Sequence, residues 1–375
     1  MKISETIRIF LILFLGLFLA NCQSQTEDVT LKDAFKNNYL IGSAVNMWQI
    51  AGKDTNSIKV LKKQFNSITP ENCMKWEKIH PKPDEYNFEP ADKFVEFGEA
   101  NNMVIIGHTL IWHSQTPKWV FEHEDGTPLT RDELLARIKD HIFTVVGRYK
   151  GRVHGWDVVN EAINEDGTLR DSKWRKIIGD DFIEKAFQWA HEADPDAELY
   201  YNDYNMWYAG KRDRVVELVN EMKEKGIQIN GIGMQGHWGL DYPPMDEADA
   251  ALSAYAVTGL NIMITELDMA VLPLPGDNTG AEISQNFELK KKLNPYPDGL
   301  PDSMQVVQTN RFVEYFRLFN KYKDSVTRVT LWGISDRFSW RNNWPVRGRT
   351  AYPLLFDRNF LPKPAVEAII KTVNE

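Results

Sequence analysis

The sequence predicts an α/β fold, a single (β/α)8 barrel of the TIM type. Eight short apolar runs of strand length alternate with longer stretches in which apolar residues recur at three- and four-residue spacing. Strand followed by helix, repeated eight times, is the signature of this barrel. The chain of 375 residues is long enough for the barrel and leaves residues for extended loops.

The strands are expected, in chain order, at residues 39–46, 65–72, 103–112, 153–161, 198–204, 231–238, 261–268 and 328–336. Amphipathic patterns between these runs predict helices, among them 92–101, 131–149, 174–193, 211–226 and 308–322. No low-complexity linker is long enough to separate a second module. We therefore expect one domain over residues 35–375.

The N-terminus is a separate segment. Lys2 and Arg8 precede the apolar run IFLILFLGLFLA, which matches a secretory signal and is short for a membrane span. The run ends at Cys22 in a context that resembles a bacterial lipoprotein signal, so we expect a signal peptide over 1–22, lipid attachment at Cys22 and a short tether over 23–34. Simple cleavage and an uncleaved anchor are the alternatives.

Charge and cysteine content exclude several classes of function. The net charge is -9 and no cluster of Lys and Arg is present, which argues against a nucleic-acid partner. A neutral or small ligand fits better. Cys73 is the one cysteine after Cys22, so no intrachain disulfide is expected in the mature chain, and its setting beside Met74 indicates a small buried thiol.

Polar side chains gather where the apolar runs end, whereas the runs start on apolar residues. They are Asn46; Glu71, Asn72 and Lys75; His108, Trp112, His113 and Gln115; Asn160 and Glu161; Asn202, Asp203 and Tyr204; Gln235 and His237; Glu266 and Asp268; and Asp336. Barrels of this type assemble their active sites at the C-terminal ends of several strands. We therefore expect a cleft at this end of the barrel and nothing comparable at the other.

Two of these residues, Glu161 and Glu266, follow the fourth and seventh strands and should face each other across the barrel. A lone Glu would more often pair with Arg or Lys. Two facing carboxylates instead suit hydrolysis of a glycosidic bond, in which one protonates the leaving oxygen and the other attacks the anomeric carbon or activates water. A gap of about 5–5.5 Å between them indicates retention, and roughly 6.5–9.5 Å indicates inversion.

The neighbours of the two glutamates predict different roles. Asp268 lies on the same strand face as Glu266, and a histidine, His237, that donates to Glu266 while held by Asp268 would keep this glutamate ionised, as a nucleophile requires. Glu161 lies beside neutral Asn160, without an obvious cation, so its pKa can be raised for proton donation. Asn160 and Glu161 can both reach the cleft only if the strand ends there.

No metal or other cofactor is expected. His108 and His113 lie on opposite faces of one strand, and no third ligand has suitable spacing. The preferred interpretation of His113 is a buried imidazole held by Asp157, and that of His108 is a donor to a sugar hydroxyl. Among the tryptophans, we assign Trp156, Trp174 and Trp189 to the core and Trp112, Trp332 and Trp340 to sugar platforms; Trp48, Trp207 and Trp238 are left open.

These motifs resemble glycoside hydrolase family 10, the retaining endo-β-1,4-xylanases. The resemblance covers residues 35–373 in order, through ITPENCMKW, GHTLIWHSQTPKW, WDVVNE, YNDYN, TELD, WGISD and PLLFDRNFLPKP. It implies a catalytic barrel domain with Glu161 as acid/base and Glu266 as nucleophile, and with His237 and Asp268 supporting the nucleophile. It also implies xylan and xylo-oligosaccharides as partners, without nucleic acid, and we expect a monomer that meets a membrane only through the N-terminal lipid.

The resemblance further implies a set of substrate-binding residues. The sugar that becomes covalently attached would be lined by Asn160, Lys75, His108, Trp112, Gln235, Trp332 and Trp340; the next xylose on the non-reducing side by Glu71 and Asn72; and the cleavage point or leaving side by Gln115, Asn202 and Tyr204. Gln115 bracing a loop and Asn202 capping one are the alternatives. Arg341 is expected either to hold a carboxylate or other substituent or to pair with an acid.

Two segments depart from the family pattern. Residues 271–301 form an insertion-like loop, rich in Pro, Gly, Asn and Asp, that could wall the leaving-group side of the cleft. Trp238 could contact the leaving group or pack internally. A barrel cellulase or mannanase and a catalytically silent glycan-binding lipoprotein are the competing functions. The expected location is the outer membrane or cell surface, as a lipoprotein exported across the inner membrane, or otherwise the periplasm or the medium.

Overall fold

Eight parallel strands close into a barrel in the computed structural model, which describes residues 29–274 and 292–375. Their bounds are β1 Leu40–Val45, β2 Ser67–Pro70, β3 Val104–Trp112, β4 Gly155–Asn160, β5 Glu198–Asp203, β6 Gly231–Met234, β7 Asn261–Ala270 and β8 Val326–Leu331. Each strand pairs with the next in the chain, and β8 pairs with β1, where Leu40 is in register with Arg328. The predicted (β/α)8 barrel is confirmed.

Helices occupy the connections and lie outside the barrel. Within the described residues they are α1 Leu31–Ala34, α2 Met47–Ile50, α3 Thr55–Gln64, α4 Trp76–Ile79, α5 Glu89–Ala100, α6 Arg131–Arg148, α7 Lys173–Ile178, α8 Phe182–Ala193, α9 Ala209–Glu224, α10 Met245–Val257, α11 Asp302–Lys321 and α12 Pro364–Lys371. None of these described helices is long and apolar enough to cross a membrane. Four of the five helical patterns singled out in the sequence each fall on one helix of this layer, whereas the pattern 174–193 is interrupted at Gly179 and forms both α7 and α8.

The local sequence explains both kinds of element. Every residue of β4 is buried, as expected for a parallel strand covered on both faces. The longest helix after a barrel strand in the first half, α6, begins with a capping box: the Thr130 side chain accepts from the Glu133 N–H, and the Glu133 carboxylate accepts from the Thr130 N–H at 2.8 Å. The apolar face of α6 then packs inward through residues such as Ile138 and Ile142.

The sixth predicted strand, 231–238, is two strands in the structure. β6 ends at Met234, and a separate short strand, His237–Gly239, pairs with the C-terminal half of β7. In this register His237 lies opposite Asp268. The break therefore moves His237 outward along β7, toward the end of the barrel where the polar residues gather.

Packed structure begins before residue 35. The last four residues of the predicted tether form α1, Leu31 is fully buried, and its N–H donates to Gln64 Oε1 at 3.0 Å. The signal peptide over 1–22, Cys22 and most of the tether lie outside the described residues.

The loop predicted over 271–301 lies partly outside the described residues, since 275–291 are not among them. The flank after the gap packs on the segment that follows β8, where Tyr352 donates to the Tyr296 carbonyl at 2.5 Å and Leu272 and Leu300 join the same apolar cluster. This flank is thus anchored to the barrel before α11 begins at Asp302.

The opposite end of the barrel is more polar than predicted. A cavity of about 520 Å³ opens there, lined by His154 and by the first residues of three predicted runs, Glu198, Asn261 and Arg328. Tyr200 fills the barrel beneath Arg328, whose guanidinium lies 5.2 Å from the ring centroid, and donates to Glu198. The expectation of apolar strand starts is therefore wrong for three strands. Tyrosine and arginine stems supply the apolar packing there while their polar ends reach the rim.

Candidate active site

The two glutamates lie at the C-terminal ends of β4 and β7. Glu266 is buried within β7, with 5% of its surface exposed, and Glu161 follows Asn160, the last residue of β4. Glu161 has a φ of 58°, a left-handed conformation that costs a residue with a side chain about 1–2 kcal/mol. This turn breaks the strand alternation, so Asn160 and Glu161 both face the cleft.

Side-chain amides join the two carboxylates in one hydrogen-bond network. Asn202 Nδ2 donates to Glu266 Oε1 at 3.0 Å and to Asn160 Oδ1 at 2.9 Å. Gln235 Nε2 donates to the same Asn160 oxygen and to Glu161 Oε1, both at 3.1 Å. Asn160 is thus the centre of a bridge between the glutamates, which share a single cleft. Asn202 belongs to this bridge and caps no loop.

Glu266 lies against a charged histidine. His237 Nε2 lies 3.1 Å from Glu266 Oε2, and its Nδ1 lies 3.0 Å from Asp268 Oδ1. Burial opposes a charge on the imidazole, but the two carboxylates outweigh it and raise the pKa of His237 to about 9. The ring is therefore an imidazolium at neutral pH, placed between two carboxylates as the sequence predicted.

The same contact sets the charge of Glu266. Burial alone would raise its pKa, but the hydrogen bond and charge of His237, assisted by Asn202, bring the pKa below its ordinary value. Glu266 is consequently ionised over the neutral range in spite of being buried. An ionised carboxylate at this end of the barrel is suited to nucleophilic attack.

Asp268 is fully buried, accepts from two donors and lies against the His237 ring. Trp340 Nε1 donates to its Oδ2 at 2.6 Å, Arg341 Nε donates to its Oδ1 at 2.7 Å, and His237 lies against it. Burial would raise the pKa of Asp268, but Arg341 and His237 lower it. Of the two interpretations left open for Arg341, pairing with an acid is the one found.

Glu161 has neutral neighbours instead. Trp112 Nε1 donates to its Oε2 at 2.8 Å, and Asn160 Nδ2 donates to its Oε1 at 3.2 Å. The nearest imidazole, His113, lies 3.8 Å away, and desolvation lowers the pKa of His113 more than Glu161 raises it. His113 is therefore uncharged at neutral pH. The two glutamates thus differ in the way predicted, one against a cation and one among neutral donors.

The predicted partner of Asp157 was the wrong histidine. His108, in register with Asp157 on the adjacent strand, is the buried imidazole, with Nδ1 2.9 Å from Asp157 Oδ2. His113 lies beyond the end of β3 with 30% of its side chain exposed, beside Glu161. With Nδ1–H donated to the carboxylate, the Nε2 atom of the neutral imidazole is an acceptor, so this contact favours His108 as an acceptor from a sugar hydroxyl; the predicted donor role stays a prediction.

A second polar group extends the cleft from the loop after β2. Lys75 Nζ donates to Asn72 Oδ1 at 3.2 Å and to Gln115 Oε1 at 2.9 Å, and Gln115 donates onward to Glu77 at 3.1 Å. Gln115 therefore braces this loop. Burial lowers the pKa of Lys75 more than the negative charges of Glu266, Glu71 and Glu161 raise it. The lysine therefore interacts electrostatically with all three of these glutamates.

Glu71 lies at the same edge, and burial raises its pKa in spite of a hydrogen bond from Asn46. On the other side of Glu161, Tyr204 accepts from Arg170 Nη2 at 2.7 Å. Predicted substrate-binding residues that follow β2 and β5 thus lie at the same end of the barrel as the two glutamates.

The tryptophans divide into cleft and core. Trp332 meets His108 and His237 edge-on, with ring centroids 5.4 and 6.3 Å away, so it lies beside the two histidines of the cleft. Trp340 lies against His237 at 5.2 Å. Trp238 packs internally against Tyr315 at 4.5 Å, which excludes the alternative of a contact with the leaving group.

The remaining tryptophans are assigned by their exposure. Trp156 and Trp174 are buried as predicted, and Trp189 and Trp207 pack against the core. Trp48 is 58% exposed in α2.

Cys73 is a buried thiol whose pKa burial raises to about 12, as its sequence setting indicated. Within residues 29–274 and 292–375, no group of three or more His, Cys, Asp or Glu side chains is arranged to hold a metal ion.

Sequence reasoning missed the residues that hold the backbone of Glu161. Arg170 donates from Nε to the Glu161 carbonyl at 2.8 Å, and it comes from a loop rather than a strand end. Asp203 and Tyr201 lie beneath the same turn. Asp203 was predicted to lie at the end of a strand, but no function was assigned to it from the sequence. Arg170 has no sequence signal, because only the folded loop brings it back to Glu161.

Known proteins match nearly the whole chain. The sequence matches the glycosyl hydrolase family 10 model over residues 30–372. It is 46% identical over 358 residues to an endo-1,4-beta-xylanase A of Xylanibacter ruminicola, covering 95% of this chain and 97% of that protein. It is 43% identical over 356 residues to a beta-1,4-xylanase of Dictyoglomus thermophilum, covering 94% of each.

Solved structures agree with the sequence comparisons. A GH10 endoxylanase retrieved from a sugarcane soil metagenome has a TM-score of 0.86 and 44% identity, covering 92% of this chain and 99% of that one. A xylanase XynB from Paenibacillus barcinonensis, solved with a conduramine derivative, has a TM-score of 0.82 and 40% identity, again covering 92% and 99%.

Proposed function

The chain belongs to glycosyl hydrolase family 10, and on that premise we propose that it is an endo-1,4-β-xylanase that cleaves xylan with retention of configuration. The observation that carries the proposal is the pair of glutamates joined through Asn160, one against an imidazolium and the other among neutral donors. A retaining glycosidase needs this asymmetry, because one carboxylate must arrive as an anion and the other with a proton.

In the first step, Glu266 attacks the anomeric carbon while Glu161 gives its proton to the departing glycosidic oxygen. The carbon–oxygen bond to the leaving chain breaks as the bond to Glu266 forms, which leaves a covalent glycosyl-enzyme and an ionised Glu161. His237 favours the anionic form of Glu266 before the attack. Trp112 donates to Glu161 and orients its carboxyl group toward the leaving oxygen.

In the second step, Glu161 acts as a base. It takes a proton from water, whose oxygen attacks the same anomeric carbon and releases Glu266 as a carboxylate. The net reaction is the addition of one water across one glycosidic bond. Two inversions at the carbon give overall retention. We also propose that Asn160 binds the sugar 2-hydroxyl through a bond that strengthens in the transition state, so Asn160→Ala should lower turnover more than affinity.

Leaving-group dependence tests the two roles. Glu266→Ala should lose nearly all turnover on every substrate, since no other carboxylate can form the covalent intermediate. Glu161→Ala should retain the first step on an aryl xylobioside with a good leaving group, which needs no proton, and lose it on xylan. The measurement is the pre-steady-state release of phenol together with kcat/KM on xylan. Identical losses on both substrates in the two variants would contradict the assignment.

Initial rates on soluble xylan, cellulose and mannan test the substrate class. We expect hydrolysis of xylan to be clearly fastest. Equal rates on cellulose would favour a barrel cellulase, and faster mannan hydrolysis a mannanase. If the pure protein released no reducing ends from xylan, a glycan-binding protein without catalysis would become the better interpretation.

We also propose, from the N-terminal sequence, that the chain is exported and acylated at Cys22 and that the mature protein is a monomer. Support comes from the basic residues, the apolar run and the cysteine that ends it. Metabolic labelling with a fatty acid should mark the wild-type protein and not a Cys22→Ser variant. Light scattering on the mature protein should give the mass of one chain.

A further inference from the structure

The polar backbone groups of Glu161 are fully engaged by side chains and by β5. Its N–H donates to the Asn202 carbonyl at 2.9 Å, and its own carbonyl accepts from Arg170 Nε at 2.8 Å. These two contacts fix the peptides on both sides of a residue whose φ is 58°. A left-handed residue with a side chain persists only where its surroundings determine it.

The next two peptides are held from below. The Ala162 N–H donates to the Tyr201 hydroxyl oxygen at 3.1 Å, and the Ile163 N–H donates to Asp203 Oδ2 at 3.3 Å. The Tyr201 hydroxyl in turn donates to the same Asp203 oxygen at 2.6 Å. One carboxylate oxygen therefore anchors two consecutive residues after Glu161, one of them directly and the other through a tyrosine.

Asp203 is itself rigid. It is fully buried; Lys211 Nζ lies 3.0 Å from its Oδ1, and the Tyr204 N–H donates to that oxygen at 2.8 Å. Lys211 is also fully buried and donates to the Tyr204 carbonyl at 2.9 Å. With all its acceptors occupied, Asp203 cannot swing toward the cleft. Neither Asp203 nor Tyr201 is solvent-exposed, so neither can touch a substrate.

We propose that Tyr201, Asp203 and Arg170 form a clamp that holds the left-handed turn at Glu161 and so aims its carboxyl group at the glycosidic oxygen. These are positioning residues, and the inference rests on the proposed function because it is expressed through the proton-transfer role of Glu161. Proton transfer requires a donor within hydrogen-bond reach of the receiving atom. A small rotation of this turn would move the carboxyl group out of that reach while leaving Glu266 in place.

Tyr201→Phe is the test variant, since it removes one hydroxyl from the clamp. We expect kcat/KM to fall about tenfold or more on an aryl xylobioside with a poor leaving group and less than about twofold on one with a good leaving group. Arg170→Gln, at a half-buried position, should give the same selective loss. Its two kcat/KM values provide an independent test of the clamp if the buried tyrosine variant folds poorly.

Tyr200→Phe is the matched control. Tyr200 precedes Tyr201 on β5, is equally buried and donates to a carboxylate, Glu198, but at the opposite end of the barrel. Thermal unfolding should show similar destabilisation of the two variants, because each leaves a carboxylate without its hydroxyl donor. The control should leave the ratio of the two kcat/KM values unchanged.

Glu161→Gln, measured on the same pair of substrates, separates this inference from the proposed function. If Glu161→Gln shows no leaving-group selectivity, the acid role fails and the clamp proposal fails with it. If Glu161→Gln is selective but Tyr201→Phe and Arg170→Gln slow both substrates equally or slow neither, the clamp alone is refuted. Selective loss in both clamp variants, absent in Tyr200→Phe, is the supporting result.

Discussion

His237 is the residue on which the charge of Glu266 depends. Without an imidazolium 3.1 Å away, burial would favour the protonated carboxyl. The histidine stays charged because Asp268 faces its other nitrogen. Asp268, two positions beyond Glu266 on the strand, thereby controls the ionisation of Glu266 without contacting the cleft.

His237→Asn should shift the pH dependence of activity. The folded pKa of Glu266 is below its ordinary value in the wild type, so the active anion persists as pH falls into the acid range. Removing the imidazolium raises that pKa, and the acid limb of kcat/KM on an aryl xylobioside should move upward by about one pH unit or more. Trp340→Phe, which leaves His237 charged, is the control. An acid limb in the same position for His237→Asn would contradict the argument.

The identities of the two glutamates and of His237 and Asp268 could be predicted because each is specified by a strand end and by alternation along β7. The partner of Asp157 could not be predicted in the same way: the sequence indicated His113, and the structure has His108. The pairing depends on the register between β3 and β4, which shifts between His108 and Ile111. A register shift of that kind is a property of two strands together and has no signature in either sequence.

The loop after Glu161 is an element whose position depends on close packing. Gly167, with φ of 85°, and Gly210, in the first turn of α9, bring two backbones together: a Cβ on Gly210 would lie 2.9 Å from the Glu165 carbonyl oxygen. Backbone cannot yield as a flexible side chain can. The loop therefore lies where it does because neither residue has a side chain.

Gly210→Ala should displace this loop, destabilise the fold by about 1–3 kcal/mol and lower kcat on xylan. Gly147→Ala is the matched control, since Gly147 lies within α6 and its added Cβ would meet nothing within 4 Å. That change should be neutral or stabilise by about 0.5–1 kcal/mol, with unchanged kcat. Urea denaturation and xylan hydrolysis measure the two effects, and equal behaviour of both variants would refute the packing argument.

The short helix α4 lies against a pair of buried histidines. His80 Nδ1 and His141 Nδ1 are 3.2 Å apart, a distance at which they can share one proton. Trp76 stacks on His141 with ring centroids 3.6 Å apart. Burial lowers the pKa of both imidazoles, that of His141 well below the ordinary value, and for His80 the charges of Asp140 and Asp84 oppose burial without overcoming it.

The stability of the protein should fall in acid because of this pair. A histidine with a depressed folded pKa takes up its proton in the unfolded chain first, so the stabilisation is present above about pH 6.5 and is lost as pH falls below it. Between pH 7.5 and 5, the free energy of unfolding should drop by roughly 2 kcal/mol more in the wild type than in His141→Gln. His123→Gln, at an exposed position, should keep the wild-type slope.

The elements themselves were largely predictable. All eight strands lie within or overlap the predicted runs, because a buried parallel strand is a short apolar segment between polar ends. The break in the sixth run was not predicted, because GIGMQGHW contains no residue that forbids a strand. It arises where the chain leaves β6 and pairs with the outer part of β7, an arrangement that depends on both strands and not on the sixth run alone.

At the scale of the whole molecule, one buried ion pair links the end of β8 to the C-terminal segment. Lys363 Nζ lies 2.6 Å from Asp336 Oδ2 and donates to the Tyr352 carbonyl at 2.9 Å. Burial raises the pKa of Asp336 to about 6 even with the lysine beside it. The pair fixes the start of α12, which packs against α11 and α1 over the seam where β8 meets β1.

Lys363→Met should destabilise the protein by about 3–5 kcal/mol at pH 7.5, because it leaves a buried carboxylate without its cation. The loss should shrink as pH falls, since a carboxyl with a raised folded pKa gains a proton in the folded state first. Combining the change with Asp336→Asn should recover much of the stability. Urea titrations at two pH values measure both, and a penalty independent of pH would contradict the account.

The closure of the barrel could be predicted from its eightfold repeat, since β8 has no other partner once the other strands are in order. The polar chemistry at its N-terminal end could not. Glu198 and Asn261 begin β5 and β7, Arg328 is the third residue of β8, and only the closed barrel brings them around one cavity. Strand order is specified locally, whereas the convergence of strand starts depends on curvature.

The low reactivity expected of Cys73 allows a fluorescent label to be placed at another site and followed during turnover. Maleimides react with thiolates, and a thiol whose pKa is about 12, with 7% of its surface accessible, will remain unlabelled at pH 7. A fluorophore could therefore be attached at a single engineered cysteine on the 292–301 flank of a protein lacking Cys22. The native thiol would contribute no background, so the emission would report motion of this flank during turnover.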